Sequence, residues 1–277
     1  MSEFWKRTLS GALFVAVIIL SIVLYEGFAW LLLSALLASL SVREYNRLTH
    51  PRCFLDNYSE FAAFAMPFAV CYYASTQSWS VAALYCVLLL ACIVVELWDK
   101  NGNPLANWGN LLAGQVMIAL PFALMNVLCT MNNYLLLAVF VLIWVNDTFA
   151  YLVGVSTAKM PGGNHKMFPR ISPKKSWEGL FGGMACTIGA AFILNRFGWF
   201  DAITKDGYEL LIAGSFGFIV SVFGTLGDLV ESLMKRTVGV KDSGHFLPGH
   251  GGVLDRFDSM LLAAPATLLF VLMMTAC

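Results

Sequence analysis

Charge is what this sequence has least of. Of 277 residues only 12% are Asp, Glu, Lys or Arg, while 59% are hydrophobic. A soluble domain typically carries about a quarter charged residues, so that class is excluded, and a chain that crosses a membrane repeatedly remains. The formal net charge is zero. Bulk charge therefore points to no partner, and no nucleic-acid ligand is expected. The cysteines, Cys53, Cys71, Cys86, Cys92, Cys129, Cys186 and Cys277, show neither a CxxC pair nor metal-ligand spacing. They read as small apolar residues, with no disulfide and no zinc expected. No internal repeat is visible, which withdraws support from an inverted-repeat transporter. No low-complexity linker divides the chain. It reads as a single integral membrane domain, 1–277, with N-terminal helices over 9–128 and a polar-motif half over 132–276.

What is there is a series of apolar runs. A membrane helix needs about 20 such residues, and nine runs qualify: 9–25, 28–48, 59–76, 79–97, 107–128, 132–155, 176–195, 208–233 and 256–276. The expected fold is all-α and polytopic. The first run lacks a small-residue cleavage site and further helices follow at once, so it reads as a span. With the N-terminus inside, all but Arg196 and Lys205 of the 17 Lys and Arg fall on the cytoplasmic side. The excess of Lys and Arg in cytoplasmic loops then predicts a cytoplasmic N-terminus and an outside C-terminus. Trp5, Trp30, Trp79, Trp98 and Trp108 lie near run ends, as an aromatic belt would. Arg43, Glu44 and Arg47 close the second run, and Glu96, Asp99 and Lys100 the fourth. They read as interfacial side chains that snorkel to the headgroups.

Two places break the apolar pattern. Asn146 and Asp147 sit inside the sixth run. An ionisable residue there marks a functional site by default, and an interhelical hydrogen bond is the plainer reading. The basic loop 156–179 follows, with Lys159, Lys166, Arg170, Lys174 and Lys175 among glycines and prolines. Gly179, Gly182 and Gly183 open the next run and read as a close-packing face.

The second break is 224–259, GTLGDLVESLMKRTVGVKDSGHFLPGHGGVLDRFDS. Asp228, Ser232, Lys235 and Arg236 are spaced to share a helix face. Asp228 lies in an apolar run, where an ionised carboxylate costs about 2.5–3.5 kcal/mol on insertion scales. It needs a metal, a cation or water. Lys235, Arg236 and Lys241 form a basic cluster beside Asp242. The glycine loop 244–252 can present backbone N–H groups to an anion, and His250 is its better phosphate donor. Asp255 and Asp258 are three apart at the head of the last run. Carboxylates beside cations and a glycine loop suggest Mg²⁺ with a polyphosphate. The plainer reading is a cytoplasmic loop with solvated charges.

The run S-x-x-K-R-x4-K-D-S-G-x-x-x-P-G-H-G-G-x-x-D-R-x-D, Ser232 to Asp258, resembles the signature of CDP-diacylglycerol synthases, also called phosphatidate cytidylyltransferases. NDTFAY, ISPKKSWEG and GDLVES resemble further blocks of that family, so the resemblance covers 146–259. It implies transfer of a cytidylyl group from CTP to phosphatidate, giving CDP-diacylglycerol and pyrophosphate for phospholipid synthesis. It also implies a bacterial inner membrane protein whose site faces the cytoplasm, embedded in membrane lipid, with a homodimer left open. On this reading Asp228, Asp255 and Asp147 hold Mg²⁺. Asp258 holds metal or orients Lys235 or Arg236. Lys174, Lys175, Lys235, Arg236 and Lys241 bind phosphates. Asn146, Ser176, Ser232, Asp242, His250, Gly251, Gly252 and Arg256 complete the substrate contacts. A CTP-dependent lipid kinase would use similar groups, and so would a phosphate or nucleotide transporter. The D-G-x2-A-R-x8-G-x3-D-x3-D pattern of CDP-alcohol phosphotransferases is absent.

Overall fold

The computed structural model describes residues 3–50, 53–99, 103–244 and 251–276. Arg52, Lys100, His245, His250 and Cys277 lie outside it, as do the side chains of Trp5, Lys6 and Arg7. The described chain is almost wholly helical. In hydrocarbon no water meets a bare N–H or C=O, and a helix pairs these groups within its own segment. Two compact units result. One holds residues 1–133 and 238–257, the other 134–237 and 258–277.

The first unit contains α1 (Glu3–Val23), α2 (Phe28–Thr49), α3 (Leu55–Thr76), α4 (Trp79–Val95), α5 (Pro104–Gly114) and α6 (Leu120–Met131). The chain later returns to it with the four-residue α10 (Leu254–Phe257). Phe257 of α10 packs edge-on to Phe14 at 5.8 Å and against Phe122 at 4.9 Å between ring centroids. That aromatic cluster anchors the returning segment. A π-helical turn, Gln115–Ala119, joins α5 to α6. Its Gln115 amide donates to the Ser59 carbonyl at 3.0 Å and accepts from the Tyr85 hydroxyl at 2.9 Å. Asn126 donates to Ser34 at 2.8 Å, and Asn107 to Glu96 at 2.5 Å. The polar residues in these apolar runs thus satisfy one another across helices, typically about 0.6–2 kcal/mol each in a membrane. Two expectations are corrected. Glu96 is buried on Asn107 instead of snorkelling, and Trp30 is buried in the core, whereas Trp79 and Trp98 are exposed.

The second unit contains α7 (Asn133–Ala158), a hairpin of β1 (Lys166–Phe168) and β2 (Ser172–Ser176), α8 (Trp177–Arg196), α9 (Glu209–Thr237) and α11 (Met260–Ala276). The glycine face on α8 packs as its sequence suggests. A Cβ on Gly182 would lie 2.6 Å from the Val153 side chain, and one on Gly179 would lie 2.7 Å from the Ala150 carbonyl oxygen. The hairpin lies where a loop was expected. Its strands pair antiparallel, Lys166 with Ser176 and Phe168 with Ser172, across an irregular register. No alternating apolar pattern announces strands this short and polar. Glu178 in the first turn of α8 holds the hairpin. The His165 backbone N–H donates to its carboxylate, and the imidazole Nδ1 lies 2.6 Å from it.

Among the described residues, seven segments are long and apolar enough to cross a membrane: Phe28–Thr49, Trp79–Trp98, Pro104–Met131, Asn133–Ala158, Trp177–Arg196, Glu209–Thr237 and Leu254–Ala276. The protein is an all-α polytopic membrane protein. The two other expected runs are also helical, in α1 and α3. The apolar part of α1 is the shorter Gly11–Val23. Helix α3 carries Asp56 and Glu60 near its start and Pro67 within it.

Candidate active site

The site in the second unit begins as a polar seam between α7 and α9. Ser221 and Thr225 are one turn apart on α9 and so share a face. The Ser221 hydroxyl donates to Asn146 Oδ1 at 2.6 Å, and the Asn146 amide donates to the Thr225 hydroxyl at 3.4 Å. All three are buried. Asn146 therefore spends its amide fixing α7 against α9. That places its neighbour Asp147, and Asp228 near one turn beyond Thr225, on a common cavity of about 310 Å³.

Strand β2 supplies the cation. Lys175 Nζ lies 2.8 Å from Asp228 Oδ2 and donates to the Thr225 carbonyl at 3.3 Å. Ser232, one turn further along α9, donates to Asp228 Oδ1 at 3.1 Å. Both carboxylate oxygens of Asp228 are thus engaged. Lys174 and Tyr151 also line the cavity, and Lys174 is exposed. Ser176 lines it too, but its buried hydroxyl caps α8 by accepting the Gly179 N–H at 3.2 Å.

Asp258 joins from the turn just before α11. The Ser259 N–H donates to its Oδ1 at 2.6 Å, and it interacts electrostatically with Asp228, Asp147 and Lys235. Close helix approach makes this possible, because a Cβ on Gly227 would lie 2.6 Å from the Asp258 carbonyl oxygen. Lys235 is buried with its ammonium 2.5 Å from Glu231, one turn away. Arg236 is exposed and donates from Nε to the Ile171 carbonyl at 3.4 Å, tying the end of α9 to the hairpin. The structure thus gathers Asp147, Asp228, Asp258, Lys174, Lys175, Ser232 and Lys235 of the expected set. Three carboxylates stand around Lys175 and a Lys235 already committed to Glu231. Crowded carboxylates in a low dielectric repel, and Lys175 on Asp228 offsets part of that repulsion.

Lys241, Asp242, Gly251, Gly252, Asp255 and Arg256 belong to the first unit. There Asp255 organises the signature loop. Its carboxylate accepts the Ser243 N–H at 2.9 Å and the Gly252 N–H at 2.8 Å. Lys241, Asp242 and Arg256 are exposed. His250 lies outside the described residues. The residue that sequence reasoning missed is Glu44 on α2. It is buried, and its carboxylate accepts the Ser243 hydroxyl at 3.0 Å, the Val253 N–H at 3.0 Å and the Leu254 N–H at 2.9 Å. A Cβ on Gly244 would lie 2.6 Å from Glu44 Oε1, so glycine is required for the loop to reach the clamp. The reading of Glu44 as an interfacial side chain is corrected. Glu231, Ser221 and Thr225 were also passed over. Only Glu231 had a signal, its turn of helix after Asp228.

Comparison with known proteins identifies the family. A sequence model of the Cytidylyltransferase family matches residues 5–274. A protein named phosphatidate cytidylyltransferase from Staphylococcus epidermidis is 45% identical over 133 residues, 48% of this chain and 46% of that protein. Proteins of the same name from Staphylococcus saprophyticus and Staphylococcus aureus are 45% and 46% identical over the same length. The chain thus spans about half the length of these relatives. With the family match running from α1 into α11, the chain belongs to the cytidylyltransferase family.

Proposed function

We propose that this protein transfers a cytidylyl group from CTP to phosphatidate, yielding CDP-diacylglycerol and pyrophosphate. The observation that carries the reading is the cavity in which Lys174 and Lys175 meet Asp147 and Asp228. Cations beside clustered carboxylates suit a polyphosphate and an anionic lipid headgroup. The names of the relatives support the choice of both substrates.

In the reaction a phosphate oxygen of phosphatidate forms a bond to the α-phosphorus of CTP. The bond from that phosphorus to the bridging oxygen of pyrophosphate breaks, and its electron pair leaves with pyrophosphate. No protein nucleophile is needed, so the protein contributes position and charge. Lys174 is exposed at the cavity and meets an incoming phosphate. Lys175, held on Asp228, offers preorganised positive charge where negative charge builds in the transition state. Lys235 serves from its buried pair with Glu231, and Arg236 adds positive charge at the end of α9. Asp228, Asp147 and Asp258 would hold Mg²⁺, while Asp255 organises the signature loop of its own unit. The bound ion would neutralise charge on the phosphates. Asn146, Ser176 and Ser232 keep the surrounding elements in register.

The reading extends to nine spans, a cytoplasmic N-terminus and an inner membrane location with the site facing the nucleotide pool. The distribution of Lys and Arg supports that orientation. The deciding experiment incubates purified protein with phosphatidate, Mg²⁺ and labelled CTP. Label from the α-phosphate of CTP should enter the lipid. Entry of γ-label instead would make the protein a lipid kinase, and label in neither product would defeat both readings.

A further inference from the structure

Away from the cavity, the turn between α2 and α3 in the first unit gathers three side chains of different chemistry. His50 ends α2, Cys53 lies in the turn, and Asp56 sits in the first turn of α3. One ligand atom from each lies within 4.8 Å of the other two. His50 Nε2 is 3.4 Å from Asp56 Oδ1, and the Cys53 thiol donates to that same oxygen at 3.4 Å. The other carboxylate oxygen accepts the Cys53 backbone N–H at 3.0 Å, which fixes the plane of the carboxylate. His50 and Asp56 show only 12% and 7% of their side-chain surface. Cys53 packs against an apolar cluster of Leu55, Cys92 and Leu111.

These spacings suit a tetrahedral ion. Bonds of about 2.0–2.3 Å directed tetrahedrally leave ligand atoms about 3.3–3.8 Å apart. The two 3.4 Å edges that meet at Asp56 Oδ1 fall in that range. The ligand types narrow the choice. Thiolate and imidazole favour a borderline-soft ion, whereas Mg²⁺ prefers oxygen alone. Supporting contacts are present as well, since the carboxylate is oriented by a backbone N–H and the apolar cluster shields one side. The geometry points to a Zn²⁺ site formed by His50, Cys53 and Asp56, with a fourth position left for water, clipping the end of α2 to the start of α3. Binding replaces the thiol proton, which leaves to solvent. Burial and the nearby negative charge of Asp56 push the free Cys53 thiol up to about 11. A cation reverses that local penalty. The site is separate from the reaction proposed above and uses none of its residues.

The test uses full-length protein in detergent, stripped with chelator and then given Co²⁺ alone or Zn²⁺ alone. Co²⁺ should produce the visible bands of a tetrahedral ion and a thiolate charge-transfer band, and Zn²⁺ should erase both. Zn²⁺ should also raise the midpoint of thermal unfolding. Cys53→Ser should lose the charge-transfer band and the thermal shift while keeping helical content and turnover. His50→Ala should weaken Zn²⁺ binding by about tenfold or more. If Asp56→Asn fails to fold, Cys53→Ser still carries the test. Equal Zn²⁺ affinity in the wild type and in Cys53→Ser would overturn the proposal. So would the absence of a thiolate band in the wild type. In either case the three residues only cap the start of α3.

Discussion

Lys175 on the second strand of the hairpin lies 2.8 Å from Asp228 on α9, and that contact joins the basic loop to a half-buried carboxylate. Asp228 is therefore not balanced by water alone, and Lys175 is held in one place. Asp228→Asn keeps the size of the side chain and removes its charge. Turnover should fall by about 10²-fold or more, the scale for losing one preorganised electrostatic element. Lys175→Ala should lower kcat, while Lys174→Ala should mainly raise the apparent KM for phosphatidate. Steady-state kinetics with each substrate varied will separate these. Near-normal turnover by Asp228→Asn would remove it from the site.

The proposed Mg²⁺ at Asp147, Asp228 and Asp258 is tested by chelation. Chelation with EDTA should abolish activity, and Mg²⁺ added alone should restore it. Asp258→Asn should shift the Mg²⁺ dependence to higher concentration. Full activity in EDTA would show that Lys175 and Lys235 suffice.

Glu44 supplies the second unexpected contact. Glu44→Gln retains one carbonyl oxygen but turns an NH₂ toward the Leu254 N–H. The loss of a charge-assisted hydrogen bond costs about 1.5–3 kcal/mol. Thermal unfolding in detergent should show lower stability, and turnover should drop because the signature loop loses its clamp. Unchanged stability and turnover would assign the loop's conformation to Asp255 alone.

Close packing of α7 on α8 leaves no room at Gly182. Gly182→Ala should destabilise the protein by about 1–3 kcal/mol, the usual range for overpacking. Val153→Ala should relieve most of that loss in the double variant. Additive effects of the two substitutions would mean that the helices are not in contact there.

Membrane orientation is checked by labelling. In a cysteine-free background, Lys241→Cys should react with an impermeant maleimide only from the cytoplasmic side, and Lys205→Cys only from outside. Reaction of both from one side would refute the proposed topology.

Much of the fold and part of the site are legible in the residues themselves. Helices follow from apolar length, because a backbone in lipid must satisfy its own hydrogen bonds. Asp147 and Asp228 stand out because a carboxylate in an apolar run is costly and needs a compensating partner. Gly182 is legible as packing because only small residues let helices approach. Other elements carry no such local mark. The hairpin around Lys166 and Ser172 is short, polar and interrupted by Pro173, so nothing periodic announces it. The cysteines compared only with each other show no ligand spacing; taken with His50 and Asp56, Cys53 sits in H-x2-C-x2-D.

The sequence by itself determined the membrane class, the helical runs and the residues rich enough in charge to do chemistry. Those depend on composition and on neighbours a few residues away. Only the tertiary structure decided their partners. Glu44 looked like a helix-end anchor, yet it binds Ser243 Oγ across 199 positions of chain. Asn146 looked like a ligand, yet Ser221 and Thr225 engage its amide. Hydrogen bonds between distant segments depend on how helices pack, and no short stretch of sequence encodes that.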